Sequence, residues 1–473
     1  MTDENTNRRW PFLLVALIAI GIYLYSAIDF GESDESSSVE RVSASADAIE
    51  ALADRDDLNV LFVLIDTLRA DRMSAYGYER DTTPFMKELA DTGIRFDRHI
   101  AQSSWTKSSM ASMWSGLYPL DIGVTKFDHA VAEEAVMPAE LLAEEGFKTV
   151  GVYRNGWVNG YFGFDQGFDH YYRPIGHFLP AEVRRVRPNE LGHGSDQDLV
   201  IDATEFFRIH GKTSRWFVYL HLMDLHEYTY DEETAIFGTS TSDLYDNSLL
   251  RTDWIVSTLY DYLEEQEILE NTMIVILSDH GEAFGERGFE GHARAVFPET
   301  TETPLIISLP TRFKESIQVK TATTNMDVWP TLFEMMGLPG QEEIDGVSRM
   351  PEIIAAAEGE AVDPDAASDE RVYAFLNENW GRPDPEQKSA VTVIEGPYRF
   401  VSGTGIAGQP FESLLTFKDG EIEELIESKP EIADALREAA EAHTASESRY
   451  SAPKLELDEM QLDQLRALGY ELP

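Results

Sequence analysis

The chain has 473 residues, with 86 Asp and Glu against 38 Lys and Arg, for a formal charge of −48. At 43% hydrophobic and 11% aromatic it has the material for a sizeable core, which excludes global disorder. A field this negative repels phosphodiester backbones, so no nucleic-acid partner is expected, and the absence of cysteine removes disulfides, thiolate metal sites and cysteine nucleophiles.

Residues 10–28 (WPFLLVALIAIGIYLYSAI) carry no charge and are about long enough to cross a hydrocarbon core as a helix. Arg8 and Arg9 precede this run, and Asp29, Glu32, Asp34 and Glu35 follow it. The positive-inside rule therefore leaves residues 1–9 in the cytoplasm and exports the remainder to the periplasmic or extracellular side of a single-pass membrane anchor. A cleaved signal peptide is the alternative. Against it stand the length of the apolar run and the missing small residue three positions before a cut after Ala27. Residues 29–57, rich in Ser, Asp, Glu and Ala, read as a solvated tether with a short helix near 46–52.

The pattern then changes. Residues 59–65 (NVLFVLI) are a continuous aliphatic and β-branched run, the mark of a strand buried on both faces. A helix is predicted from Pro84 to about Gly93, with Thr83 as its N-cap, then a helix over 138–146 and a strand over 148–153. Buried strands are expected at 216–222 and 273–277, separated by a long helix over about 244–263. The apolar stripe of that helix is Leu249, Leu250, Trp254, Leu259, Tyr262 and Leu263. A strand at 305–309 and a helix at 327–336, closed by Gly337, follow. Residues 340–385 are acidic and Pro- and Ala-rich, a boundary or surface excursion. The chain ends with strands at 390–394 and 398–401 and a helix near 431–443. Alternation of this kind predicts an α/β fold: a large, mostly parallel central sheet with helices on both faces, plus a small C-terminal α+β subdomain.

In open α/β sheets ligands collect at the carboxyl ends of strands. Asp66 ends NVLFVLID, and Asp279 with His280 end MIVILSDH. Two carboxylates and an imidazole brought together there would suit a hard divalent cation, although an Asp after a strand also serves as a turn or cap residue. Residues 103–119 run through Thr106 into a helix that stops near Gly116. A hydroxyl at a helix N-terminus lies among free N–H groups and the positive dipole end, which suits an alkoxide nucleophile; Ser and Thr are equally ordinary N-caps there. His221 and His226 follow the strand WFVYLHL, and His292 lies in a Gly-rich loop after Asp279. A histidine at such places could protonate a leaving oxygen; His221 alone reads better as a satisfied, partly buried side chain.

Taken in order, these segments resemble the sulfatase branch of the alkaline phosphatase superfamily over roughly residues 58–345. The matching stretches are NVLFVLIDTLRADRMSAYGYERDTTPFM (59–86), WTKSSMASMWSGLYP (105–119), FGFDQGFDHYY (162–172), YLHLMDLHEY (219–228), SDHGEAFGERG (278–288) and MDVWPTLFEMMGLP (326–339), with LDQLRALGYELP (462–473) as a family-like tail. The resemblance implies an alkaline-phosphatase-like catalytic domain at 58–345 and a C-terminal subdomain and tail at 346–473. It also implies metal ligation by Asp66, Thr106, Asp279 and His280. Thr106 falls at the nucleophile position, His226 and His292 where relatives contact substrate or leaving group, and Lys107 where a cation could hold a non-bridging oxygen.

The departures decide the chemistry. Sulfatases convert a Cys or Ser in a C/S-x-P-S-R motif to formylglycine, whereas here the run is Thr106-Lys107-Ser108-Ser109-Met110. The usual aspartate pair on the first strand is Asp66-Thr67, so one carboxylate is missing. Unmodified Thr is what phosphodiesterase and phospho-group transferase relatives use. The expectation is an extracytoplasmic, metal-dependent hydrolase or transferase of a phosphate or sulfate ester, phosphoryl chemistry favoured, with one divalent cation, Mn²⁺ or Mg²⁺ ahead of Ca²⁺. An envelope glycan or lipid headgroup is the substrate class that membrane tethering favours. The alternatives are a sulfatase using an unmodified Thr and a non-catalytic binding protein on the same fold.

Overall fold

The computed structural model describes residues 41–174, 176, 194–231, 235–360, 371–377, 389–405, 408–418 and 421–468. The apolar segment 10–28 with its flanking charges, and the last five residues of the tail, lie outside them. Among the described residues no helix is long and apolar enough to cross a membrane.

The central sheet has eight strands: β1 (Asn59–Ile65), β2 (Ile94–Ile100), β3 (Lys148–Tyr153), β4 (His170–Tyr172), β5 (Trp216–Leu222), β6 (Thr272–Leu277), β9 (Glu302–Ser308) and β10 (Ile317–Thr324). Between β6 and β9 a small ribbon forms from β7 (Ala283–Phe284) and β8 (Glu290–Gly291). The sheet order is β10-β2-β9-β6-β1-β5-β3-β4. All neighbours are parallel except those of β9, which runs against both β2 and β6.

Both faces of β1 are covered, and its side chains divide between them by the period of two that a strand imposes. Val60, Phe62 and Leu64 enter one core with Met110, Met113 and Trp114 of the helix Thr106–Ser115 and with Trp329 of the helix Val328–Met335. Leu61, Val63 and Ile65 enter the other, with Met86 and Leu89 of the helix Pro84–Thr92 and with residues of the helices Asp196–His210 and Thr241–Glu265. This is why the run reads as uniformly apolar rather than alternating.

A second, antiparallel sheet runs in the order β11 (Val372–Leu376), β12 (Ala390–Glu395), β13 (Tyr398–Thr404), β14 (Pro410–Lys418), β15 (Glu421–Glu424). The helix Pro430–Thr444 packs Ala433, Leu436 and Ala440 onto its Val393, Phe400 and Leu414.

One local expectation is corrected. Thr83 makes no side-chain cap on the helix Pro84–Thr92; its Oγ1 pairs with Ser74 Oγ at 3.0 Å. The cap comes from another helix. The Asp253 carboxylate accepts from Phe85 N at 2.9 Å and Met86 N at 2.8 Å, satisfying donors that every helix start leaves open.

Candidate active site

The register of the sheet assembles the site. Leu64 of β1 pairs with His221 of β5 and Leu277 of β6, and Tyr153 of β3 pairs with the same His221. Two residues further along these parallel strands come Asp66, Asp279 and Asn155, level with one another at the carboxyl edge. All share the strand parity of Phe62, Tyr219, Val275 and Tyr153, whose side chains face the core containing the helix Thr106–Ser115. Asp66, Thr106, Asn155, His221, Asp279 and His280 are each 0% exposed.

Thr106 opens its helix, yet its hydroxyl caps nothing: Trp105 occupies the cap position and no side-chain cap bond forms. Instead Thr106 Oγ1 lies 3.1 Å from His280 Nε2 and 3.3 Å from Asn155 Nδ2. Asn155 Nδ2 also donates to Asp66 Oδ2 at 2.7 Å. The Tyr219 phenol, which burial pushes well above its ordinary range, stays protonated and donates to His221 Nδ1 at 2.6 Å. His221 Nε2–H is thereby left to donate to Asp66 Oδ2 at 3.0 Å. Hydroxyl-to-backbone contacts hold the carboxyl ends of β1 and β6. Ser109 Oγ donates to Asp279 O at 2.5 Å, and Ser278 Oγ donates to Ile65 O at 2.7 Å while accepting from Leu68 N at 2.9 Å.

Thr67, where the resemblance implies a second aspartate, has φ 62°, a left-handed conformation costly for a β-branched residue. Its hydroxyl donates to Asp66 O at 2.6 Å, and Tyr245 OH fixes the turn by donating to Thr67 O at 2.8 Å.

The donor set fits a divalent cation. Asp66 Oδ1 and Asp279 Oδ2 are buried, with no hydrogen-bond partner among the described residues, an arrangement that is costly unless something else binds them. Asp66, His221 and Asp279 offer atoms within 4.8 Å of one another. Within this group His221 Nε2 is spent on Asp66, whereas His280 Nε2 lies 3.3 Å from Asp279 Oδ2 and 3.9 Å from Asp66 Oδ1. Adjacent ligands of a small octahedral ion stand about 3 Å apart, and the His280–Asp279 and His280–Thr106 separations are of that size. His280 Nδ1 sits 3.0 Å from Gly281 O, which directs its proton there and leaves Nε2 as the lone-pair nitrogen. Burial alone would raise the Asp66 carboxyl, but the neighbouring His226, His221 and His280 outweigh it and hold it down. Burial, then the Asp66 charge, push Asp279 up. Carboxylate and imidazole donors of this kind suit a divalent cation.

His226 and His292 are the half-buried members of the group. The His292 ring stacks on His280 at 4.6 Å and meets His226 at 4.9 Å. Burial lowers both histidines, His292 to about 4. His292 Nδ1 is 2.8 Å from Glu282 Oε2, and burial pushes that carboxyl up to about 7. Ala293 N donates to Ser104 O at 2.7 Å, tying this loop to the approach of the Thr106 helix.

Lys107 is not brought into the cluster. Its Nζ donates to Phe127 O at 2.8 Å and lies over the rings of Phe162, Trp157 and Trp105 at 3.3, 5.5 and 5.9 Å. Successive helical residues point about 100° apart, so adjacency in sequence to Thr106 sends Lys107 into an aromatic box instead. Asn155 and Glu282, absent from the sequence reading, are the additions. The Asn-Gly pair at 155–156, one residue past the strand predicted over 148–153, is the signal available for Asn155.

A family model described as Sulfatase matches residues 58–338. Human steryl-sulfatase is 20% identical over 411 residues, 62% of this chain and 69% of that protein. The Kdo(2)-lipid A phosphoethanolamine 7''-transferase of Salmonella typhimurium is 22% identical over 351 residues, 68% of this chain and 58% of that protein. Among solved structures, Ps i-CgsB in complex with k-i-k-neocarrahexaose superimposes with TM-score 0.65 at 17% identity, covering 87% of this chain and 97% of that one. Phosphonate monoester hydrolase of Agrobacterium radiobacter gives 0.60 at 17% identity, covering 82% and 95%. With more than half of its length matched by one family description, the chain belongs to the sulfatase family of the alkaline phosphatase superfamily and is a hydrolase or transferase of it.

Proposed function

We propose that the protein cleaves or transfers a phosphate ester through Thr106, without formylglycine. The observation that carries this reading is the Thr106 hydroxyl, spared from capping and lying 3.1 Å from His280 Nε2 beside the unpartnered carboxylate oxygens of Asp66 and Asp279. A divalent ion held by Asp66, Thr106, Asp279 and His280 would polarise the ester oxygen and lower the pKa of a coordinated hydroxyl. Thr106 Oγ1, its proton released to solvent, forms a bond to phosphorus as the bond to the leaving oxygen breaks. Helix N–H groups at Thr106 face the equatorial charge. His226 and His292 are neutral in their buried setting. An arriving anion favours their charged form, and one of them protonates the departing alcohol. Water or an acceptor alcohol then attacks the threonyl ester, restores the hydroxyl and releases product.

Sulfate-ester hydrolysis is the second reading, favoured by relatives named as sulfatases, steryl-sulfatase among them. The apolar run 10–28 supports tethering to a membrane with the catalytic domain outside; protection of that domain from protease added to spheroplasts, whose outer envelope has been removed, would contradict this.

Aryl phosphodiester, phosphomonoester and sulfate-ester substrates assayed across Mn²⁺, Mg²⁺, Ca²⁺ and Zn²⁺ test the assignment. Phosphodiester turnover should exceed sulfate-ester turnover and should vanish on chelation. Restoring Mn²⁺ to about 100 times its Kd should add about 2.7 kcal/mol of stability in denaturant titration. Full turnover by protein that elemental analysis shows to be metal-free would refute the metal assignment, and faster sulfate-ester cleavage would replace the first reading with the second.

A further inference from the structure

We infer that Asn155 is the hydrogen-bond donor that holds the Thr106 oxygen against the Asp66 carboxylate, its two amide protons serving the nucleophile and the metal-binding group at once. This rests on the Thr106 reading above and adds a residue that neither composition nor motif singled out.

The amide orientation follows from its third contact. Trp157 N–H, which can only donate, lies 2.8 Å from the Asn155 side chain, so the oxygen faces Trp157 and the NH₂ faces the site. Of the two protons, one goes to Asp66 Oδ2 at 2.7 Å and the other to Thr106 Oγ1 at 3.3 Å. Thr106 Oγ1 is thus an acceptor toward Asn155, and its own proton points to His280 Nε2 at 3.1 Å. As charge develops on Oγ1, the bond from Asn155 becomes charge-assisted and shortens. The same amide occupies Asp66 Oδ2 together with His221 Nε2, so Asp66 presents its other oxygen, Oδ1, to the space it shares with Asp279.

The turn that carries Asn155 is built to stay put. Asn155 caps the short helical turn Gly156–Val158. Trp157 of that turn packs edge-on against Trp105 at 5.1 Å and lies under Lys107. Residues 105 and 107 are therefore packed against the segment whose first residue contacts 106.

Two substitutions separate the two jobs. Asn155→Ala removes both bonds; Mn²⁺ binding to the full-length, chelator-stripped protein should weaken about 10-fold, as when an outer partner of a metal ligand is lost. At saturating Mn²⁺, kcat should stay down at least ~10²-fold with KM changed less than about 3-fold, the size of effect seen for loss of one preorganised donor. Asn155→Asp is isosteric, still accepts from Trp157 N–H, and exchanges the donor for a charged acceptor. It should bind Mn²⁺ at least as tightly as the parent and yet lose kcat by at least ~10²-fold. Circular dichroism establishes that both remain folded. Turnover of Asn155→Asp within about 3-fold of the parent overturns the inference, as does full recovery of Asn155→Ala by excess Mn²⁺. If Thr106→Ala is inactive while both Asn155 variants turn over normally, the nucleophile assignment stands and this inference alone fails.

Discussion

Thr106→Ala is expected to lower kcat by at least ~10³-fold, about 4 kcal/mol of lost transition-state stabilisation, with the fold intact. The side chain contributes nothing to capping its helix, so its removal leaves the helix start, the Trp105 packing and the strand ends undisturbed. What disappears is the single oxygen toward which His280 Nε2 and Asn155 Nδ2 converge at 3.1 and 3.3 Å. Thr106→Ser keeps that oxygen and should retain measurable turnover. Steady-state kinetics on phosphodiester substrate, with circular dichroism alongside, provide the check, and near-parental kcat in the Ala variant would remove Thr106 from the mechanism.

Arg154→Met should cost about 3–5 kcal/mol of stability, the usual consequence of removing one partner from a buried ion cluster. Arg154 Nη1 reaches Asp196 at 2.7 Å and Asp224 at 2.6 Å, and Nη2 reaches Glu227 at 2.7 Å; the Arg154, Asp196 and Asp224 side chains are 5, 0 and 1% exposed. Asp196 in turn accepts from Met223 N and Asp224 N at 2.9 and 2.8 Å, so the cluster anchors the loop that carries His226. Burial, and then Asp196, push the Asp224 carboxyl up to about 6 against the pull of Arg154 and Arg251. A carboxyl raised in the folded state binds its proton more tightly there than in the unfolded chain. Its stabilising contribution is complete below about pH 4 and is lost as pH rises through about 6. Without Arg154 that window moves upward, so the deficit should be largest above pH 7 and shrink on acidification. Urea titrations from pH 5 to 8 measure it. A pH-independent loss below 1 kcal/mol would mean that the cluster is effectively solvated.

The sheet and the cluster differ in how readable they were. Residues 59–65, 216–222 and 273–277 announce themselves because a strand covered on both faces can be apolar throughout. The Asp that ends such a run is visible as an interruption. Asp66, Asp279 and His280 were nameable for that reason, and register alone brings them level. β2 was not, since in IRFDRHI the consecutive Asp97, Arg98 and His99 break the alternation that marks a half-buried strand. The Asp253 cap joins two helices that are distant in sequence, which no local pattern encodes. Lys107 shows the converse error: proximity in sequence suggested proximity in chemistry, and helical geometry turned the ammonium away. Asn155 was hidden because Asn-Gly after a strand is the ordinary signature of a turn, and only the Trp157 contact fixes which way its amide points.

Rapid mixing with substrate, acid quench and peptide mass analysis tests the central claim most directly. One phosphoryl group, still carrying its second ester substituent when the substrate is a diester, or one sulfuryl group with a sulfate ester, is expected on the peptide containing Thr106. The increment should be absent from Thr106→Ala and should form more slowly in variants of His226 or His292, the groups that protonate the departing alcohol. Turnover at the full rate with Thr106 unmodified throughout, or the same increment on another residue, would contradict it.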